Sequence, residues 1–215
     1  MLKVIAFDFD GTLADSVDFC LQVFQKVFTK YMGENAPDEE AVYQNFGMNE
    51  PGVLRFFMGE ENRDAENDFY ELHRKLHPEF CPVPYTGIIE LLNFLKSKNI
   101  KLGILTGRSK TTCHISLDYL KLNEYFDFFY YGSPEKNDKA AQLSDIIEQN
   151  NLRNDELAYV GDAVSDVLAC RKANVKCYVA AWAKTARISE LEKLNPNLVF
   201  KTVADMQTAI DKDLQ

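Results

Sequence analysis

Two aspartates, Asp8 and Asp10, stand two residues apart at the end of the apolar run Val4-Ile5-Ala6-Phe7. On extended backbone such residues point the same way, so their carboxylates lie side by side. Like charges this close repel, and a divalent cation with hard oxygen ligands is the usual remedy. Gly11 lets the chain turn sharply just beyond them. A strand followed by an acidic turn has the same composition, because Asp-Gly is ordinary turn chemistry. The pair alone does not choose between the two.

Three further segments carry chemistry at the ends of apolar runs. Thr106-Gly107-Arg108-Ser109 follows Leu102-Gly103-Ile104-Leu105 and offers a hydroxyl and free backbone N–H groups beside a helix start. That suits phosphate, although Thr-Gly is also a common turn. Gly132 to Lys139 follows Phe128-Phe129-Tyr130-Tyr131 and holds Lys136 and Lys139 near the start of a helix. The helix dipole disfavours a cation there. Such a lysine makes sense if it reaches inward to carboxylates and phosphate; otherwise it is a surface lysine. Last, Tyr159-Val160-Gly161-Asp162 is followed by Asp166 at i+4. One carboxylate sits at the strand end and the other one turn onward, and both can face one site. Helix capping competes for either residue.

These segments need a scaffold that gathers strand ends. Val4, Ile5 and Phe7 suit a strand buried on both faces. Ser16 is a candidate helix cap, followed by Phe19, Val23, Phe24, Val27, Phe28 and Tyr31 at helical spacing, with Gly33 as C-cap. From about Asp38 to Phe80 only amphipathic helical patterns occur, broken at Gly47, Pro51-Gly52 and Gly59, and the acidic stretch Glu60 to Asp68 reads as a solvated helix face. After Pro82-Val83-Pro84 the rhythm changes to alternating helices and strands. Helices are predicted at 88–97, 111–119, 140–150 and 165–173, and strands at 101–105, 126–131, 157–160, 176–180 and 198–200. The alternation predicts an α/β fold: a Rossmann-like parallel sheet sandwiched by helices. Residues 1–15 and 83–215 would form this core domain, and 16–82 an inserted small α-helical cap. In such sheets, sites form at the carboxyl ends of the strands, where all four segments lie.

Composition narrows the function. The chain has 215 residues, 46% of them apolar, and a formal net charge of −9. An acidic chain does not bind nucleic acid through a basic surface. No apolar run approaches the ~18 residues of a membrane span, and the start lacks a signal peptide's apolar core. Five scattered cysteines, Cys20, Cys81, Cys113, Cys170 and Cys177, form no Cys-x-x-Cys pair, so a reducing cytoplasm is expected. His73, His77 and His114 form no ligand pattern and are expected at the surface or in packing.

Taken in order, Asp8-x-Asp10-Gly-Thr12, Thr106, Lys139 and Gly161-Asp162-x-x-x-Asp166 resemble the motifs of the haloacid dehalogenase superfamily of phosphohydrolases. The resemblance covers essentially the whole chain. Its closest flavour is the phosphoglycolate-phosphatase-like branch with a helical cap between the first two motifs. The resemblance implies that Asp8 is a nucleophile forming an aspartyl phosphate. It makes Asp10 the acid that protonates the leaving alkoxide and the base that deprotonates water. Thr12 would tie down the turn. Asp8, Asp162 and the backbone carbonyl of Asp10 would surround Mg²⁺, while Asp166 would bind through water or orient the lysine. Thr106 and the Gly107 N–H would hold phosphate oxygens, and Lys139 would neutralise the transferring group. Arg108 would contact substrate or be exposed.

The chain departs from the family at several points. Lys139 is followed by Ala140 rather than proline, which leaves Lys136 as a rival. Thr106-Gly107-Arg108 stands where phosphoglycolate phosphatases often carry Thr-Asn-Lys, and Asn174 stands where relatives often have Gly. The leading expectation is a Mg²⁺-dependent phosphomonoester hydrolase for a small phosphorylated metabolite, acting as a monomer or homodimer. A sugar phosphomutase or other phosphotransferase shares the same core and would need a cap cation for a second phosphate, for which Arg55 is a candidate. A phosphonate hydrolase would need a reactive cap lysine among Lys26, Lys30 and Lys75. A receiver-like signalling domain or a non-catalytic phosphate-binding protein are the remaining readings. Cap aromatics Tyr43, Phe46, Phe56, Phe57 and Tyr70 are expected mostly to pack, with one or two lining a pocket.

Overall fold

The structure, a computed structural model, describes residues 1–59, 61–135 and 137–215. Six strands form one parallel sheet: β1 (Val4–Phe7), β2 (Lys101–Leu105), β3 (Phe128–Tyr130), β4 (Leu157–Gly161), β5 (Lys176–Ala180) and β6 (Val199–Phe200). Their order is β3-β2-β1-β4-β5-β6. The order reverses at β1, which pairs with β2 on one side and β4 on the other, with Phe7 level with both Ile104 and Val160. Crevices at such a reversal lie beyond the carboxyl ends of the strands. Ten helices surround the sheet among the described residues: α1 (Val17–Met32), α2 (Glu39–Tyr43), α3 (Glu50–Met58), α4 (Arg63–Phe80), α5 (Ile88–Ser97), α6 (Lys110–Tyr119), α7 (Lys139–Gln149), α8 (Val164–Ala173), α9 (Ile188–Leu194) and α10 (Val203–Asp213).

The two faces of β1 explain its all-apolar sequence. Val4 and Ala6 join Leu143 and Ile146 of α7 and Val167 and Cys170 of α8 in one apolar cluster. Ile5 and Phe7 join the cluster on the opposite face, with Leu91 and Leu92 of α5 and Met206 and Ile210 of α10. Alternate side chains of a strand serve opposite faces, so a strand covered on both must be apolar throughout. The second cluster does not stop at the sheet. It runs on through Phe24 and Phe28 of α1, Leu54 of α3 and Phe69 of α4, so the helices inserted between β1 and β2 share one apolar body with the sheet.

Most sequence expectations match within two residues, and the differences have local causes. Pro51-Gly52 does not break a helix; it opens α3. Proline in a first turn gives up an N–H that has no intrahelical partner, and the Asn49 side chain accepts the Gly52 N–H at 3.0 Å. Gly59 ends α3 in left-handed conformation at φ 80°. Asn174 ends α8 in the same way at φ 53°, ψ 45°. Strand β3 is shorter than the predicted 126–131, because residues 123–125 form a single tight turn leading into it. Helices α9 and α10 were not anticipated, although Val203, Met206 and Ile210 of α10 have amphipathic spacing and are buried. None of the helices is long and apolar enough to cross a membrane, among the described residues. All five cysteines are free and buried.

Candidate active site

The site is assembled at the carboxyl ends of β1, β2, β3 and β4. The Asp8 N–H still donates to the Val160 carbonyl at 2.8 Å, so the sheet fixes the Asp8 backbone. The next residues leave the ladder through Gly11, which has φ +70°. A Cβ there would sit 2.2 Å from Asp162 Oδ2, so the turn fits against the Asp162 carboxylate only as glycine. Leu13 N–H closes the turn onto the Phe9 carbonyl at 2.9 Å. Thr12 is fully buried beneath it; its carbonyl accepts from Trp182 Nε1 at 3.1 Å, and its hydroxyl has no protein partner among the described residues.

Lys139 is the centre of the constellation. It is the first residue of α7, whose N-cap Asp138 accepts the Ala141 N–H at 3.1 Å. Its Nζ donates to Asp8 Oδ2 at 2.5 Å, Asp166 Oδ1 at 2.7 Å and Tyr159 Oη at 2.9 Å. Burial opposes the ammonium charge, but Asp166 and Asp8 outweigh it and raise the Lys139 pKa. Asp166 is fully buried and does two jobs. Oδ1 meets Lys139, and Oδ2 accepts the Ala163 N–H at 3.0 Å at the start of α8. The capping competitor is therefore partly correct for Asp166. It fails for Asp162, since Ala163 holds the N-cap position. Lys136, the rival lysine, lies outside the described residues.

Asp8 and Asp10 end up in different surroundings. Burial pushes the Asp8 carboxyl up to about 6, with Asp166 and Asp10 adding repulsion and Lys139 offsetting part of it. Burial would also raise Asp10, but the Arg108 guanidinium holds it below the usual carboxylate range, helped by a hydrogen bond from Ser16. Arg108 Nε lies 2.9 Å from Asp10 Oδ2 and Nη2 lies 2.6 Å from Oδ1, a two-pronged ion pair. Ser16 occupies the N-cap position of α1, yet its hydroxyl donates to Asp10 Oδ1 at 2.6 Å instead of capping the helix. Of the two expectations for Arg108, substrate contact or exposure, the second is overturned: it is 3% exposed. It stacks on Phe9 with Cζ 4.3 Å from the ring centre.

The Thr106-Gly107 segment takes its expected place beside these carboxylates. Thr106 N–H donates to the Tyr130 carbonyl at 3.0 Å, and its buried hydroxyl accepts the Arg108 N–H at 3.3 Å. Gly132, after β3, backs onto it so closely that a Cβ would lie 1.9 Å from the Gly107 carbonyl oxygen.

Oxygen atoms of Asp8, Asp162 and Asp166 lie within 4.8 Å of one another. Asp162 has no hydrogen bond or ion pair from a side chain among the described residues. Burial and the neighbouring Asp166 and Asp8 raise its pKa well above the ordinary value. Asp8, Asp10, Asp162 and Asp166 face two cations, Lys139 and Arg108, so the ionised set carries a net charge of −2 and Asp162 has no cationic partner among the described residues. An all-oxygen donor set short of two positive charges fits a hard divalent cation such as Mg²⁺. The Asp10 side chain is taken by Arg108, so Asp10 has its backbone to offer there. The sequence expectation named Asp8, Asp10 and Asp162; the geometry adds Asp166 to the cluster.

Beyond Asp10, toward the inserted helices, a cavity of about 60 Å³ is lined by Asp10, Cys20, Phe24, Phe46, Gly47, Met48, Glu50, Val53, Gly107 and Arg108. Phe46 thus meets the expectation of a pocket aromatic, while Phe56 and Tyr43 are exposed. Glu50 was not singled out from sequence, where it reads as an ordinary first-turn acid of α3. It is 5% exposed, and its carboxylate accepts the Ser109 N–H at 2.8 Å and the Thr112 hydroxyl. Arg55 is turned toward Glu135 at 3.4 Å and Glu61 at 3.9 Å. Lys26, Lys30 and Lys75 are exposed and line no part of this cavity. His73 and His77 are fully buried between α4 and α6, and His73 Nε2 lies 3.0 Å from Ser116 Oγ.

The sequence pattern of haloacid dehalogenase-like hydrolases matches residues 5–180. A Clostridium perfringens protein named for pyrophosphatase activity is 27% identical over 219 residues, covering 99% of each chain. A phosphoglycolate phosphatase from Aquifex aeolicus is 26% identical over 216 residues, again covering 99% of each. Among solved structures, a hydrolase from Pseudomonas syringae superposes with a TM-score of 0.75 at 23% identity, covering 98% of each chain, a likeness of fold. With a parallel sheet that gathers Asp8, Thr106, Lys139, Asp162 and Asp166 at its strand ends, the chain belongs to the haloacid dehalogenase-like hydrolase family.

Proposed function

We propose that the protein is a Mg²⁺-dependent phosphomonoester hydrolase acting on a small phosphorylated metabolite through an aspartyl-phosphate intermediate. The observation that carries this reading is Lys139 joined to both Asp8 and Asp166 at the strand ends, with Asp162 beside them. Asp8 Oδ attacks phosphorus as the bond to the leaving oxygen breaks, giving an aspartyl phosphate and an alcohol. Lys139 offsets the charge on the nucleophile and on the transferring group, while the Thr106 hydroxyl and Gly107 N–H hold phosphate oxygens. Asp10 sits on the leaving-group side; it must first take up a proton to give one to the departing oxygen, and it then takes one from the water that hydrolyses the aspartyl phosphate, the role its Arg108-favoured ionised form suits directly. Thr12 supports the turn that positions Asp10. Asp8, Asp162 and the Asp10 backbone would hold Mg²⁺, with Asp166 close by; when bound, the ion screens the phosphate and carboxylate charges from one another.

Residues 1–15 and 83–215 supply this chemistry, and the helical insertion, residues 16–82, closes over the leaving group. The five free, buried cysteines support a reducing cytoplasmic setting. A mutase needs a cation in the insertion for a second phosphate, and Arg55 is engaged with Glu135 and Glu61 instead. The test is phosphate release from a panel of phosphomonoesters, with Mg²⁺ and with excess chelator, for wild type and Asp8→Asn. Release that needs Mg²⁺ and disappears in Asp8→Asn is expected. Full activity in a natively folded Asp8→Asn protein, or unchanged rates under chelation, would refute the assignment.

A further inference from the structure

We infer that the cavity beside Asp10 selects a small, hydrogen-bond-donating leaving group, an alcohol carrying hydroxyl or amino substituents, and rejects one carrying a carboxylate. The inference rests on the phosphatase reading, because Asp10 must face the leaving oxygen for this cavity to be its seat.

A substrate carboxylate needs a donor, and among the described residues the one cationic side chain lining the cavity is Arg108. A guanidinium has five N–H groups, and polar atoms lie within reach of all five. Nε and one N–H of Nη2 hold Asp10; the other Nη2 N–H reaches Cys20 Sγ at 3.3 Å. Nη1 reaches Ser116 Oγ at 2.7 Å and His73 Nε2 at 3.3 Å. Burial and the stacking on Phe9 keep the group from swinging toward a ligand. Arg108 is thus a structural cation, spent on Asp10 and on the contact with α4.

What remains in the cavity accepts hydrogen bonds. Glu50 receives one hydrogen bond at each carboxylate oxygen, and an ionised carboxylate has about four acceptor sites, so it can take more. With Asp10 ionised, as Arg108 favours, Asp10, Glu50 and Arg108 give the lining one net negative charge; with Asp10 protonated they cancel and Glu50 remains the acceptor. Phe24, Phe46, Met48 and Val53 supply an apolar wall. A carboxylate placed here would lose water, find no free side-chain donor among the described residues and face Glu50. A hydroxyl or ammonium would find an acceptor. At about 10–15 Å³ for each water-sized group, the volume of about 60 Å³ admits a leaving group of roughly four heavy atoms.

Three small phosphomonoesters test this: 2-phosphoglycolate, 2-hydroxyethyl phosphate and phosphoethanolamine, whose leaving groups carry a carboxylate, a hydroxyl and an ammonium; the amide of 2-phosphoglycolate, with the same number of heavy atoms as the acid and no charge, controls for size. Acetyl phosphate, whose leaving group departs without a proton, reports on the catalytic centre separately. The expected result is a kcat/KM for 2-phosphoglycolate at least tenfold below the other two. In Glu50→Gln, the ratio of 2-phosphoglycolate to 2-hydroxyethyl phosphate should rise about tenfold. If acetyl phosphate is hydrolysed with Mg²⁺ but 2-phosphoglycolate is preferred, or all three esters are refused, the inference is overturned and the phosphatase reading stands. An unchanged ratio in folded Glu50→Gln overturns it as well. If Glu50→Gln does not fold, the wild-type order decides alone. No Mg²⁺-dependent hydrolysis of acetyl phosphate or of the three esters removes both readings.

Discussion

Replacing Arg108 by methionine tests whether the buried ion pair with Asp10 organises the site. Methionine keeps much of the stem volume and removes the charge. The Arg108 side chain is 2% exposed and Asp10 24% exposed, so the change leaves a carboxylate largely out of water without its partner. Breaking a buried pair this way costs about 3–5 kcal/mol. The partial exposure of Asp10 pulls the estimate down, while the orphaned Ser116 and His73 contacts add about 1 kcal/mol or more. A net loss of roughly 3–5 kcal/mol corresponds to a fall in Tm of roughly 6–20 °C for a chain of this length. Urea melts of wild type, Asp10→Asn, Arg108→Met and the double variant would measure it. The m-values should match, so that midpoints report stability. The double variant should lose less than the two single losses added together, by about 1.5 kcal/mol or more. A single-variant loss under about 1 kcal/mol, or strict additivity, would refute the view that the pair is buried and coupled.

Four further outcomes follow from the same geometry. In chelated wild-type protein, stability should fall as pH rises from about 4 to about 6, because folded Asp8 and Asp162 retain protons that the unfolded chain has released; Asp8→Asn should show a shallower decline in urea melts taken across that range. For the same reason Mg²⁺ affinity, followed by titration calorimetry, should weaken as pH falls below about 6, where protons compete for Asp8. Lys139→Met should lower kcat by at least about 100-fold, since it removes the charge that offsets Asp8 and Asp166, and a loss under tenfold would count against its placement. Gly11→Ala should weaken Mg²⁺ binding and lower Tm together, because its methyl group would meet Asp162 Oδ2 and the turn holds φ +70°; unchanged metal affinity would sink that link.

The sheet was legible because local pattern and tertiary demand agree: β1 is apolar on both faces, and each polar segment follows such a run. The gathering of Asp8, Thr106, Lys139, Asp162 and Asp166 follows once the strands are ordered, since all occupy strand ends or the first turn of the next helix. What the sequence concealed depends on contacts between distant residues. Arg108 looked free because its partners, Asp10, Cys20 and His73, come from other segments. Glu50 looked like a solvated first-turn acid because nothing local shows that α3 approaches the start of α6. Pro51-Gly52 carried a signal with two readings. Proline marks a break or a first turn equally well, and Asn49 in front of it was the clue that decides. His73 and His77 were expected at the surface or in packing, and although α4 is polar on average, the face that carries them packs among Phe19 and Phe69.

The single apolar body linking the sheet to the inserted helices bears on how this protein can be recombined. Substrate range in such an enzyme is an inviting target for chimaeras that transplant one insertion onto another catalytic sheet. The seams at residues 15 and 83 look ideal on paper, since they fall outside the strands. Yet Phe24, Phe28, Leu54 and Phe69 belong to the same packed cluster as Ile5, Phe7 and Ile104. A wholesale exchange would set two foreign apolar surfaces against each other, and interiors packed to crystal-like density tolerate that poorly. Recombination is better confined to the cavity wall at Phe46, Met48 and Val53, leaving α1 and α4 native.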